Sequence, residues 1–220
     1  MDPLAEKYYG MSPYGYCKNN PLKYIDLKGD STRVYTETES FGHTWISVGE
    51  GDDMVVYSYG RYGGTNKGPE GSSNSLANGP GVLLRLTGED AKAYNENKSS
   101  TTGISVHIIT DVADEKVAEI LNEKFNSSDI TPSRGDYKGN PSARVVDEYK
   151  LLSNNCTTVV VDALTSAGTS LFNVTQQVTN RSVGESFQVQ TRERPVLPAF
   201  FQNYLNSRSL VNDPSIYKTK

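Results

Sequence analysis

Residues 153–164 read SNNCTTVVVDAL, and whether they form a strand or a helix decides the architecture. Thr157 to Val161 are β-branched without interruption, which favours a strand by propensity. Three features favour a helix. Asn at the start is a good N-cap. Val160, Val161 and Leu164 fall on one helical face. Ala167-Gly168 is a natural helix stop. The pattern predicts a helix over 156–167, with Cys156 in its first turn. There unpaired N–H groups and the helix dipole stabilise a thiolate, the nucleophilic form of cysteine.

Working outward, residues 33–48 (RVYTETESFGHTWISV) alternate. This predicts a strand with Phe41, His43, Trp45 and Ser47 on one face and Gly42, Thr44, Ile46 and Val48 on the other. Gly49 to Asp53 is a turn, and Met54 to Tyr59 reads as the returning strand of a hairpin. Residues 60–81 hold seven glycines and read as a long surface loop, functional or mobile. Further strands are expected at 82–86, 103–110 and 148–152, and helices at 89–97, 114–126 and 197–208. The sum is an α+β domain from about residue 31 to 220, a small antiparallel sheet packed against helices on one side.

The chain has 220 residues, 35% hydrophobic and 22% charged, a globular composition. Its net charge of −4, with no Lys/Arg run, lacks the basic footprint of a nucleic-acid binder. No stretch approaches the ~20 apolar residues of a membrane span. The start, Met1 to Glu6, lacks the basic and apolar stretches of a signal peptide. Two cysteines, Cys17 and Cys156, and two histidines, His43 and His107, offer no zinc-type pairing, so no metal or cofactor is expected. A single Cys17–Cys156 disulfide would be a thin framework. Gly60 to Gly68 is glycine-rich without the Gly-Lys-Ser/Thr ending of a phosphate loop.

The chemistry to consider is nucleophilic. Cys156 is the candidate nucleophile, and strand-borne His43 the candidate general base. The Cys156 backbone N–H would form half of an oxyanion hole. Asn154 or Asn155 would supply the other donor or cap the helix. His107 lies opposite Ile104, Val106 and Ile108 on its strand and reads as a surface or interface histidine. The bland alternatives are a buried structural cysteine and ordinary strand residues.

Two resemblances sharpen this. Asp2-Pro3-Leu4-Ala5-Glu6-Lys7-Tyr8-Tyr9, Ser12-Pro13-Tyr14-Gly15-Tyr16-Cys17, Asn19-Asn20-Pro21 and Tyr24-Ile25-Asp26-Leu27-Lys28-Gly29 resemble the end of an Rhs repeat-associated core, a shell that packages a variable C-terminal toxin. Leu27 stands where that family has a proline. The resemblance implies a shell remnant over 1–30, with Cys17 belonging to the shell, and a delivered effector over 31–220. Separately, Tyr149-x-Leu151-x-x-Asn154-Asn155-Cys156-Thr157-Thr158 and its continuation to Gly168 resemble the nucleophile segment of permuted NlpC-type papain-like enzymes. Phe41-Gly42-His43-Thr44-Trp45-Ile46-Ser47-Val48 resembles their histidine strand. His43 precedes Cys156, the permuted order. In that family a polar residue on the strand after the histidine orients it, and the resemblance implies Ser58 as the first choice for this third residue and Tyr57 as the second.

These resemblances imply a bacterial effector, an interbacterial toxin made in the cytoplasm and exported without a signal peptide. It would act as a cysteine-dependent amide or peptide hydrolase, with the peptidoglycan stem peptide as favoured substrate. An immunity protein and the Rhs shell or secretion machinery would be its partners. A cysteine protease, a deamidase or a lipid acyl-transfer toxin fits the same residues. Two other classes stay open: a nuclease toxin, against which the acidic pI argues, and a non-catalytic binding tip.

Overall fold

The strand expected from Arg33 to Val48 is interrupted once, and the interruption sets the geometry of the sheet. Thr38 to Gly42 form a turn in which Ser40 takes φ +55° and Gly42 φ +69°. A Cβ at position 42 would lie 2.6 Å from the Glu37 carbonyl oxygen, so glycine alone fits. The expected single strand is therefore two, β1 (Thr32–Glu37) and β2 (His43–Val48), paired antiparallel with Glu37 opposite His43. Phe41 sits on the turn, exposed, rather than on a strand face.

The structure, a computed structural model, describes residues 32–62, 78–99, 104–180, 185–208 and 210. Residues 1–31, including Cys17 and the segment expected to be a shell remnant, and most of the glycine-rich loop, 63–77, lie outside the described residues. β3 (Val55–Gly60), β4 (Asn78–Thr87), β5 (Ile104–Ile109) and β6 (Ala143–Lys150) complete a six-stranded sheet of order β5-β1-β2-β3-β4-β6. Every neighbouring pair is antiparallel. The helices are α1 (Gly88–Ser99), α2 (Asp114–Asn126), α3 (Cys156–Ala167) and α4 (Pro198–Ser207). A separate hairpin, β7 (Asn173–Asn180) with β8 (Glu185–Arg192), falls where no element is expected from the sequence.

Strand alternation builds two cores, one on each face. Val34, Ile46, Tyr57 and Leu83 pack with α2, α3 and α4 through Leu121, Val160, Leu164 and Phe201. Tyr35, Trp45, Val56 and Leu84 pack with Ala91 and Tyr94 of α1. Helices thus cover both faces, not one as expected. The same fact corrects the reading of His107. It is fully buried rather than at the surface, and its Nε2 lies 2.9 Å from Oδ1 of Asn206 on α4.

α3 forms with the expected bounds despite its β-branched run. Asn155 closes a capping box with Thr158, and Gly168 ends the helix at φ +100°. Val159, Val160, Val161 and Leu164 are buried. Each such side chain contributes about 1.5–3 kcal/mol on burial, which outweighs a propensity deficit of tenths of a kcal/mol per residue.

Candidate active site

One end of the sheet gathers the start of β2, the end of β3 and the start of α3. A cleft of about 370 Å³ opens there, lined by His43, Cys156, Tyr59, Tyr62, Lys98 and Tyr149 among others. Both members of the expected pair therefore face one cavity, although they come from opposite sides of the sheet. His43 shares its strand face with Trp45, towards α1, and Cys156 arrives from α3 on the other side.

Cys156 is the first residue of α3, free and 5% exposed. The Thr44, Thr157 and Cys156 backbone N–H groups and the Thr157 hydroxyl donate towards its sulfur. Thr44 is the residue after His43, so this contact ties the thiol to the histidine strand. The Thr44 and Thr157 hydroxyls, 3.0 Å apart, make a second tie. Burial nevertheless pushes the thiol up from its ordinary value, and the hydrogen bonds oppose that only in part. The helix start does not produce the stabilised thiolate expected from sequence.

His43 stacks on Trp45, ring centroids 5.7 Å apart and 20° from parallel. Its Nε2 lies 2.7 Å from Ser58 Oγ and 3.0 Å from Tyr62 OH. Burial, assisted by the charge of Lys98, holds the imidazole down to about 3. Lys98 is itself fixed by Glu37, Nζ to Oε2 3.1 Å. At neutral pH the site thus holds a neutral thiol and a neutral imidazole, not a thiolate–imidazolium pair. Such a pair can exchange a proton during attack on a carbonyl.

Ser58, the first-choice orienter, is beside His43 on the neighbouring strand. It has company that sequence reasoning missed. Its Oγ is 2.6 Å from Tyr62 OH and 2.8 Å from Tyr94 OH, and the two phenols are 2.8 Å apart. Burial pushes both phenols up, so they stay protonated. Tyr62 follows β3 and Tyr94 comes from α1; no spacing in the sequence links either to His43.

The remaining expected residues lie elsewhere. Tyr57 points into the opposite core and donates to Asn122 Oδ1 at 2.9 Å. Asn155 is the cap of α3. Its Oδ1 accepts from the Thr158 N–H at 3.0 Å, and its Nδ2 donates to the Leu151 and Val196 carbonyls. That leaves no amide proton for an oxyanion. Asn154 donates to the Glu148 carbonyl at 2.7 Å and to Tyr59 OH at 3.1 Å. Among the described residues no group of three or more His, Cys, Asp or Glu is placed to hold a metal ion. No family model, no curated protein and no solved structure matches this chain.

Proposed function

We propose that this protein is a cysteine-dependent amide hydrolase of the permuted papain-like kind, acting as an Rhs-associated interbacterial toxin. The observation that carries the reading is Cys156, at the first position of α3, sharing one cleft with His43, whose Nε2 is held by Ser58. In the reaction His43 Nδ1 takes the thiol proton as Cys156 Sγ bonds to the substrate carbonyl carbon. The imidazolium then gives that proton to the leaving amine as the C–N bond breaks. Water, deprotonated by His43, attacks the thioester, and the proton returns to Sγ as the acid leaves. The Cys156 backbone N–H, at the helix start, would face the developing oxyanion.

The cleft carries both signs of charge, Glu37 and Glu39 with Arg61 and Lys98, and so suits a peptide bearing charges of both signs. A peptidoglycan stem peptide has that character. An acyl-lipid substrate is the second reading, and it is favoured by the apolar rim. Phe41, 72% exposed, and Leu151 both line the cleft. Purified protein incubated with soluble stem-peptide fragments should release a new amine, and Cys156→Ala and His43→Ala should each lower the rate by about 10²-fold or more. Full activity in Cys156→Ala would overturn the mechanism. Release of fatty acid from phospholipid vesicles, with stem peptides untouched, would favour the second substrate.

A further inference from the structure

The three hydroxyls behind His43 form a closed ring, and the ring has a consequence for the imidazole. Ser58 Oγ, Tyr62 OH and Tyr94 OH stand 2.6, 2.8 and 2.8 Å apart, so each side of the triangle is a hydrogen bond. Each hydroxyl carries one proton. Three bonds therefore consume three protons, one donated by each member around the ring. No hydroxyl proton remains for the imidazole. Yet Nε2 of His43 lies within hydrogen-bond distance of two members, Ser58 at 2.7 Å and Tyr62 at 3.0 Å. With all three ring bonds kept, Nε2 must be the donor, its single N–H shared between the Ser58 and Tyr62 oxygens through lone pairs the ring leaves free.

We infer that Ser58, Tyr62 and Tyr94 act together as a positioning device that fixes His43 as the Nε2–H tautomer and leaves Nδ1 as the basic nitrogen. The inference rests on the reading of His43 as the general base for Cys156. A carboxylate orienter accepts from the imidazole and stabilises the imidazolium as well. This neutral ring does only the first. The phenols cannot take the proton away, because both are buried and held protonated. Trp45, stacked on the ring of His43, holds the plane of the imidazole while the hydroxyls hold its rotation.

The test is the tautomer itself. The chain has two histidines, so protein labelled with ¹⁵N at histidine gives two ring systems, and His107→Gln assigns them. Wild type at pH 7 should show His43 with a protonated Nε2 and an unprotonated Nδ1. Tyr94→Phe opens the ring and frees a hydroxyl proton to donate to Nε2. The variant should show a measurable Nδ1–H fraction and a roughly tenfold slower alkylation of Cys156, less than the ~10²–10⁴ that a positioned base contributes in full. Tyr62→Phe opens the same ring and repeats the test if Tyr94→Phe does not fold. Tyr137→Phe keeps the ring that packs edge-on to Tyr62 and should leave the tautomer as in wild type. A wild-type His43 with protonated Nδ1, or a tautomer and alkylation rate unmoved in a folded Tyr94→Phe, would overturn the inference. The tautomer is read without any substrate. If it responds as expected while Cys156→Ala keeps full hydrolase activity, the positioning device stands and the hydrolase reading fails.

Discussion

At the level of single residues, the site runs on burial more than on charge. Position at a helix N-terminus lowers a thiol, but Cys156 is nearly sealed from water, and desolvation of the thiolate prevails. His43 is pushed in the opposite direction, to about 3, because its charged form is the one that burial and Lys98 disfavour. Both shifts favour neutral partners. In Cys17→Ala protein, the ultraviolet absorbance of the Cys156 thiolate should therefore rise with a midpoint above the ~8.5 of a free thiol. A midpoint several units lower would mean a preformed ion pair. Ser58 could be named from sequence because it lies one strand-return away from His43. Tyr62 and Tyr94 could not, since only the docking of α1 on the sheet brings their hydroxyls to it.

At the level of elements, the helix that carries Cys156 was legible because several local signals agreed. The Asn155 cap, the one-sided apolar set and Gly168 outweighed a run of β-branched residues. The β1–β2 turn was not legible, because alternation continues through Thr38 to Gly42 as though the strand went on. Its cause is a backbone conformation, at Ser40 and Gly42, that residue polarity does not report. The face of β5 was misread for a related reason. Ile104, Val106 and Ile108 mark one buried face, and α4 buries the other as well, with His107 beneath it. The cap offers a test of how firmly α3 is anchored. Asn155→Ala removes the acceptor for Thr158 N–H and strips partners from the Leu151 and Val196 carbonyls. A cap is worth about 1 kcal/mol and each buried unpaired group about 1–3. Denaturant unfolding should show a loss of about 3 kcal/mol or more, with slower alkylation of Cys156 as the helix start loosens.

At the level of the whole molecule, the sheet is what joins the site. Residues 43 and 156 line one cleft because β2 is central in the sheet and α3 starts at the end where β2 begins. Holding two histidines neutral inside this architecture has a cost that depends on pH. His43 and His107 both sit below their unfolded value, so from pH ~6.5 downward the unfolded chain binds protons that the folded one refuses. Stability must fall as pH falls through that window. The drop in Tm from pH 7 to pH 5 should be smaller in His43→Gln than in wild type. Partial exposure of His43 screens the effect, so the difference should be about 2–4 °C, the shift produced by ~1 kcal/mol in a chain of this size. Activation of Cys156 by His43 is read by alkylation. Wild type and His43→Ala would be treated with iodoacetamide at pH 7, and the modified residue located and timed by peptide mass mapping. Cys156 should be modified in wild type, and its modification should slow by about tenfold or more in His43→Ala. Equal rates in the two proteins, or a Cys156 that stays unmodified in wild type, would contradict it.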